Sequence, residues 1–264
     1  MILLKIGGGA SIHLEGIVDD LAGMDERFIV VHGANALRDD LGRKLAMPQK
    51  VVTSISGYSS VLTDEPALDL MMMSYAGLRN KRIVELCLQK GIPAVGLTGL
   101  DGRLVAGRRN KGIRIEEEGR KKIVRDLSGK PDTINTDLLF LLLDHGYMPV
   151  ITVPIADEQG CAINTENDDV VRVLSNAVEA DRVIQLIEAP GLLRDPRDPR
   201  SLIEQMTFAQ CAKWEEAAEG RMKRKLLALK KLGENRNIIV HISDGRTASP
   251  VKDALHGKGT DLRA

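Results

Sequence analysis

Chemistry in this chain concentrates where short apolar runs give way to glycine. The first such place is Lys5-Ile6-Gly7-Gly8-Gly9, at the end of the run Ile2–Ile6. Glycine lets backbone N–H groups come close to an anion. Lys5 adds a mobile point charge beside them. A strand that ends this way ahead of a helix can cradle phosphate. The lysine precedes the glycines, so this is not a Walker A loop, and the G-x-G-x-x-G spacing is missing too. The same residues also serve as a tight strand-to-helix turn with a surface lysine. A second junction of this kind follows Phe28–Val31, as His32-Gly33-Ala34-Asn35. In an open parallel sheet ligands sit at the carboxyl ends of strands, so the two junctions can face one site.

Three later stretches carry polar chemistry. Asn164 and Asp168 stand four apart at a loop–helix junction, where such residues also act as plain caps. Gly220-Arg-Met-Lys-Arg-Lys225 leads into a helix over Leu226–Leu232. Cations at a helix N-terminus oppose its dipole, which hints at an anion bound there. Between Gly99 and Asp132 the chain is strongly basic, with Arg103, Arg108, Arg109, Lys111, Arg114, Arg120, Lys121, Lys122 and Arg125 opposed by Asp101, Glu116, Glu117 and Glu118. Such an excess is either a solvated hairpin or a docking surface for an acidic partner. Met71-Met-Met73 reads as adaptable core packing. No His–acid dyad stands out.

The elements that must position these residues alternate. Strands are predicted at Ile2–Ile6, Phe28–Val31, Pro93–Thr98, Tyr147–Pro154, Asp181–Ile187 and Asn237–Ile242. Helices are predicted at Leu14–Ala22, Ala36–Leu45, Glu65–Lys90, Thr133–His145, from Ala162–Asp169 through Ala177, and at Phe208–Ala218. This alternation argues for an α/β fold with a mostly parallel sheet covered on both faces. Asp64 is placed to cap the long helix, with Pro66 in its first turn. Val51–Asp64 reads as a loop with a turn at Ser56-Gly57, and Asp195–Arg200 as a turn-rich loop. Leu104–Ala106, Ile113–Glu117 and Lys122–Val124 read as short strands of a projecting hairpin region.

At 264 residues the chain can bury a large core, as one α/β unit or two lobes. A formal net charge of zero speaks against a general nucleic-acid surface. Cys87, Cys161 and Cys211 are widely spaced and form no C-x-x-C, which suggests neither a disulfide framework nor a zinc site and fits a reducing cytoplasm. No apolar stretch has the length of a membrane span or a signal peptide.

As an ordered set the junctions resemble the amino acid kinase family, and within it the acetylglutamate kinase group. The pieces are Lys5-Ile-Gly-Gly-Gly9, Val31-His-Gly33, Asn164-Thr-Glu-Asn-Asp168, Glu188-Ala-Pro-Gly191, Gly220-Arg-Met-Lys-Arg-Lys225 and Gly259-Thr260, spread over nearly the whole chain. Val52–Gly57, Thr63-Asp64, Val95–Arg103 and Gly220-Arg-Met222 resemble the branch that phosphorylates aminoadipate or glutamate attached to an acidic amino-group carrier protein. That branch serves lysine and, in some organisms, arginine biosynthesis.

The resemblance implies an αβα sandwich around a mostly parallel sheet. Residues 1–154 would form the amino-acid-substrate lobe, with the basic hairpin at about 99–132, and residues 155–264 the nucleotide lobe. It implies a cytoplasmic homodimer that converts ATP and a side-chain carboxylate into ADP and an acyl phosphate. Lys5 and Lys225 would flank the transferred phosphoryl group, with Asp168 holding both. Gly7, Gly8, Gly9, Gly33 and Ala34 would cradle phosphate oxygens. Asn164, Thr63, Ser56 and Gly57 would hold the substrate, Glu188 and Gly191 would lie on the nucleotide side, and Arg108, Arg109 and Lys111 would dock the carrier. Mg²⁺ would take mainly phosphate and water oxygens, with no residue assigned as its ligand. Free N-acetylglutamate as substrate, or a non-catalytic nucleotide-binding paralogue, are the alternatives.

Three departures from the family pattern stand out. The glycine run after His32 is one residue short. Val61 stands where relatives carry an arginine that grips the substrate α-carboxylate, so a cation such as Arg79 or Lys81 substitutes or the substrate differs. Glu188 replaces the usual aspartate. No long helix precedes Met1, so the arginine-inhibited hexamer that the resemblance links with such a helix is not expected.

Overall fold

The computed structural model describes residues 1–263 except 54, 56–58, 118–119, 196, 218–219 and 234–237; the side chains of 53, 59–60, 117, 120, 216–217 and 220–225 are also outside the description. The chain begins β1 (Ile2–Ile6), α1 (Leu14–Ala22), β2 (Phe28–His32), α2 (Asn35–Lys44), β3 (Val51–Thr53) and β4 (Ser59–Val61). One long helix follows as α3 (Glu65–Met71), a π segment (Met72–Arg79) and α4 (Asn80–Gln89). Then come β5 (Ala94–Thr98), β6 (Val105–Arg109), β7 (Ile113–Glu117), β8 (Arg120–Val124), β9 (Gly129–Ile134), α5 (Thr136–Asp144) and β10 (Met148–Thr152). The chain closes with β11 (Ile155–Ala156), β12 (Ala162–Ile163), α6 (Asn167–Ala177), β13 (Arg182–Ile187), β14 (Gln205–Thr207), α7 (Phe208–Ala217), α8 (Gly220–Gly233), β15 (Ile239–Asp244), α9 (Pro250–Leu255) and β16 (Thr260–Arg263).

An eight-stranded sheet runs in the order β14-β16-β15-β13-β1-β2-β10-β5. From β15 to β5 all neighbours are parallel; β16 and β14 run the other way. The sheet is buried on both faces because its strands are apolar at nearly every position. Side chains alternate between faces. Ile2, Leu4 and Ile6 pack with Ile17, Val18 and Leu21 of α1, Ile83 of α4 and Val251 of α9. Leu3 packs in the opposite core, with α5, α6 and α8. These are the three layers expected. Lys5 shares Leu3's face by the same alternation, so its side chain starts on the α6 side.

A four-stranded sheet, β12-β11-β6-β9, and two hairpins, β3-β4 and β7-β8, stand beside the main sheet. Val51–Val61 is thus a hairpin and not a plain loop. Its strands are too short, and too mixed in composition, for a period of two to register. The helix expected from Thr133 begins at Thr136. Thr133 instead lies in β9, paired with Ala106, and Asn135 caps α5 by accepting the Leu138 N–H at 3.1 Å. The helix expected from Leu226 starts at Gly220, so the cations lie within it and not ahead of it. The expected cap of the long helix is present, with Asp64 accepting the Ala67 N–H at 3.1 Å. All three cysteines are free. No helix among the described residues is long and apolar enough to cross a membrane.

Candidate active site

The site is built where β1 and β2 end side by side. Gly33 N–H donates to the Ile6 carbonyl at 3.0 Å, and Ala36 N–H donates to the Gly8 carbonyl at 2.9 Å. The two glycine junctions are therefore stitched together. Gly8 is glycine for lack of room: a Cβ there would lie 2.6 Å from Asn35 N and 2.8 Å from Ala34 N. Helix α2 starts at this point with Ala34 as N-cap, which has no side-chain oxygen for the first turn. Of its leading amides Ala36 is taken by the Gly8 carbonyl, and those of Asn35 and Leu37 have no acceptor among the described residues. Among the described residues, the N–H groups of Gly8, Gly9 and Ala10 have no protein acceptor either. Successive amides of this kind form an anion nest.

Lys5 reaches the same place from β1. Its Nζ lies 3.0 Å from Asp168 Oδ1, and the two side chains are only 13% and 25% exposed. Asp168 sits in the first turn of α6, where the positive end of the helix favours a carboxylate. Asn167, beside it, brings its Nδ2 within 3.7 Å of a Cβ built on Gly33. The N-termini of α2 and α6, the glycine nest and Lys5 thus converge. Such an array can neutralise a polyphosphate and hold one phosphoryl group in place.

Behind the cradle lie groups with fixed protonation. His32 is fully buried, and burial holds its pKa down at about 3, so it is neutral at physiological pH. Asn80 Nδ2 lies 3.1 Å from its Nε2. Tyr75 donates its hydroxyl to Asn35 Oδ1 at the start of α2, and burial pushes the phenol up to about 12. Arg79 Nη2 donates to the Gly9 carbonyl at 3.1 Å. Burial lowers the Arg79 pKa, opposed by the Glu188 carboxylate. Glu188 itself accepts the Ser11 N–H at 2.7 Å.

Just ahead of the N-terminus of α3, Thr63 Oγ1 accepts from Asn164 Nδ2 at 2.9 Å, and the Thr63 N–H donates to buried Asp126 at 2.8 Å. Lys50 pairs with Asp64 at 3.4 Å. Val61 pairs with Val51 across the hairpin. Neither cation weighed as a substitute for the family arginine lies here. Arg79 follows Asp64 by fifteen residues, about 20 Å along a helix, and Lys81 Nζ donates to the Gly96 carbonyl at 3.1 Å.

Toward the C-terminus, Leu192 N–H donates to Thr260 Oγ1 at 2.8 Å, and a Cβ on Gly191 would lie 2.7 Å from that oxygen. A cavity of about 550 Å³ opens beside them, lined by Pro190, Glu204, Ser243, Asp244, Gly259 and Asp261 among others. One edge carries a His–acid pair that the sequence did not reveal. His241 and Asp261 are cross-strand partners on β15 and β16 and share a hydrogen bond. Burial lowers the His241 pKa and Asp261 works against that.

The profile of the amino acid kinase family matches residues 1–244. The chain belongs to the amino acid kinase family. Among curated family members, the [LysW]-aminoadipate kinase of Thermus thermophilus is 36% identical, with all of both chains covered. That of Deinococcus radiodurans is 38% identical, covering 98% of this chain and 90% of its own. An acetylglutamate kinase of Methanopyrus kandleri is 34% identical, covering 78% of each. Among solved structures, N-acetylglutamate synthase from Neisseria gonorrhoeae, complexed with coenzyme A and N-acetyl-glutamate, superposes with a TM-score of 0.78 at 19% identity. This chain is covered in full there but spans only 59% of that protein, so the likeness speaks for the fold.

Within the family fold, Lys5, Gly7, Gly8, Gly9, Gly33, Ala34 and Asp168 come together, and Asn164 meets Thr63. Glu188 lies against the glycine turn. Ser56 and Gly57 fall outside the described residues, as does the side chain of Lys225. The backbone of Lys225 belongs to α8, whose Leu226 and Leu229 share a core with Val170, Val171 and Leu174 of α6. In the basic region Arg108 pairs with Asp132 at 3.0 Å, and Arg109 lies 4.0 Å from Asp157. Lys111 is exposed and has no ion pair among the described residues. Sequence reasoning passed over Asn167, Tyr75 and the Arg79–Gly9 bond. Asn167 adjoins Asp168 and was within reach, but the other two depend on where a long helix crosses the site.

Proposed function

We propose that this chain transfers the γ-phosphoryl group of MgATP to a side-chain carboxylate. The acceptor is aminoadipate or glutamate whose amino group is joined to an acidic carrier protein, and the product is an acyl phosphate. The observation that carries this reading is the Lys5–Asp168 pair, set against two stitched glycine junctions at which the Gly8, Gly9 and Ala10 amides are open. Family membership and the carrier-linked kinases among the relatives support the choice of acceptor.

Phosphoryl transfer asks the protein mainly for in-line positioning and charge neutralisation. A carboxylate is already ionised at neutral pH, so no side-chain base has to activate it. Lys5 meets the phosphoryl oxygens as negative charge shifts in the transition state, and the N–H groups of Gly8, Gly9 and Ala10 donate to the same oxygens; the Gly33 N–H, already given to the Ile6 carbonyl, holds the junction in place. Asp168 orients Lys5, and by the family resemblance Lys225 would be the second cation at the transferred group. Asn164 and Thr63 hold the acceptor, and the cavity by Gly191 and Thr260 takes the nucleoside. Mg²⁺ would be brought by the nucleotide and held mainly by phosphate and water oxygens, with no residue of this chain assigned to it. Among the described residues no group of three or more His, Cys, Asp or Glu side chains could hold a metal ion. The basic region around Lys111 steers the acidic carrier.

The working unit is a cytoplasmic homodimer. β5 ends the main sheet, and Met73, Leu78, Phe140, Leu141 and Tyr147 are exposed on nearby elements, which supports a second copy there.

Hydroxylamine trapping tests the reaction, with MgATP and N-acetylglutamate, N-acetyl-aminoadipate or carrier-bound aminoadipate in parallel. Hydroxamate from the carrier-bound substrate alone is the expected result. Turnover of a free acetylated acid alone would overturn the carrier, and silence on all three with ATP still bound would overturn the kinase.

A further inference from the structure

We propose that Arg79 is a positioning residue of the phosphate cradle: it fixes the glycine turn through the Gly9 carbonyl and keeps a positive charge behind the nucleotide's phosphates. This rests on the kinase reading of the same site.

The turn after β1 is gripped at two points. Glu188 accepts the Ser11 N–H at 2.7 Å, and Arg79 Nη2 donates to the Gly9 carbonyl at 3.1 Å. In a trans peptide the C=O and the next N–H point in opposite directions. Holding the Gly9 carbonyl therefore aims the Ala10 N–H the other way. That N–H, with those of Gly8 and Gly9, has no protein acceptor among the described residues. A flexible three-glycine turn would not keep three donors aligned without such a grip.

The long helix explains how an arginine reaches this turn. Met72–Arg79 has π geometry, and Arg79 is its last residue. π segments are rare and concentrate at functional sites. On one side of the segment Tyr75 holds Asn35 at the start of α2, and one turn later Arg79 holds Gly9. Both glycine junctions are thus tied to one helix. The guanidinium is half-buried, and its Nε has no hydrogen-bond partner. About 20 Å of helix separates it from Thr63 and from the place of Val61, while its guanidinium is spent on the Gly9 carbonyl. Its charge belongs to the phosphate end of the reaction.

The test compares wild type, Arg79→Ala and Arg79→Lys. Calorimetry gives the MgADP affinity, trapping gives kcat and both KM values, and melting without nucleotide reports the fold. Losing a charge-assisted contact predicts MgADP affinity and MgATP KM worse by about 10-fold or more in Arg79→Ala. The acceptor KM should stay within about 2-fold, and Arg79→Lys should recover part of the loss because it keeps the charge but not the fork. A raised acceptor KM with unchanged MgATP KM, or a variant equal to wild type on both, would overturn the proposal. Weakened MgADP binding in Arg79→Ala, with wild type silent on every acid, would uphold the cradle and reject the carboxylate kinase. A fully active wild type with an indifferent Arg79 would do the reverse.

Discussion

Substituting Gly8 by alanine probes the cradle with one methyl group. The backbone at Gly8 is not left-handed, so alanine meets no conformational penalty of its own there. The whole effect comes from collision. The new Cβ would lie 2.6 Å from Asn35 N, 2.8 Å from Ala34 N and 3.0 Å from Gly33 C. All three are backbone atoms tied into the β2–α2 junction, so none can rotate away. Ordinary contact begins near 3.4 Å, and the junction must open by several tenths of an ångström. Overpacking of this kind costs about 1–3 kcal/mol. For a chain of this size that lowers Tm by roughly 2–10 °C. Displacing the amides that hold the phosphoryl group should also reduce kcat/KM by about 100-fold or more. Gly9→Ala should be milder in stability, because its Cβ meets the Glu188 carboxylate, the movable end of a side chain. Gly77→Ala is the control: its Cβ would find Met72 O at 3.5 Å, a normal contact, and a helical Gly→Ala change stabilises by about 0.5–1 kcal/mol. Differential scanning calorimetry with the hydroxamate assay reads all three. A Gly8→Ala protein with wild-type Tm and turnover would refute the stitched-junction geometry.

His32 has an ordinary pKa of 6.5 and is held at about 3 by burial. The unfolded chain therefore takes up a proton below pH 6.5 that the folded chain refuses, so stability falls with acidification. Between pH 7 and pH 5 this one group accounts for about 2 kcal/mol, and urea titrations of His32→Gln should show a correspondingly shallower loss. Asp64→Ala removes the cap on Ala67 and should cost about 1 kcal/mol, read as a Tm lower by about 2–4 °C. Lys111→Glu should raise the carrier KM at low salt and lose that effect at high salt. Arg108→Glu should do less, because Asp132 already neutralises Arg108.

Much of this fold was legible where sequence and burial speak the same language. Ile2–Ile6 is apolar but for Lys5 and lies between two partner strands, and Leu14–Ala22 has one apolar stripe, so both elements match their expected bounds. Thr133 misled because the polar residues before the leucine run read as the start of its helix, while the Thr133 backbone is committed to β9. β11, β12, β14 and β16 are two to four residues long, too short for periodicity to mark, and they exist because a neighbouring strand offers a ladder. Residue types pointed to the two glycine junctions and to Lys5, but the same residues also make a plain strand-to-helix turn; the meeting of Lys5 with Asp168 needed the packing of α6 on β1. Arg79 could not be read that way. Its role depends on a long helix crossing the ends of β1 and β2, and fifteen residues of helix decide that it serves the phosphates and not the acceptor. His241 and Asp261 are twenty residues apart in sequence and met only through a strand reversal.

The central claim is that Lys5, set by Asp168 among the glycine amides, passes a phosphoryl group to a carboxylate. The most direct measurement gives wild type and Lys5→Ala γ-³²P-ATP, Mg²⁺ and a carrier bearing aminoadipate, then splits the labelled carrier with and without hydroxylamine. The account predicts label on the carrier with wild type, released by hydroxylamine as an acyl phosphate must be, and almost none with Lys5→Ala. Label that resists hydroxylamine, or equal labelling by the two proteins, would contradict it.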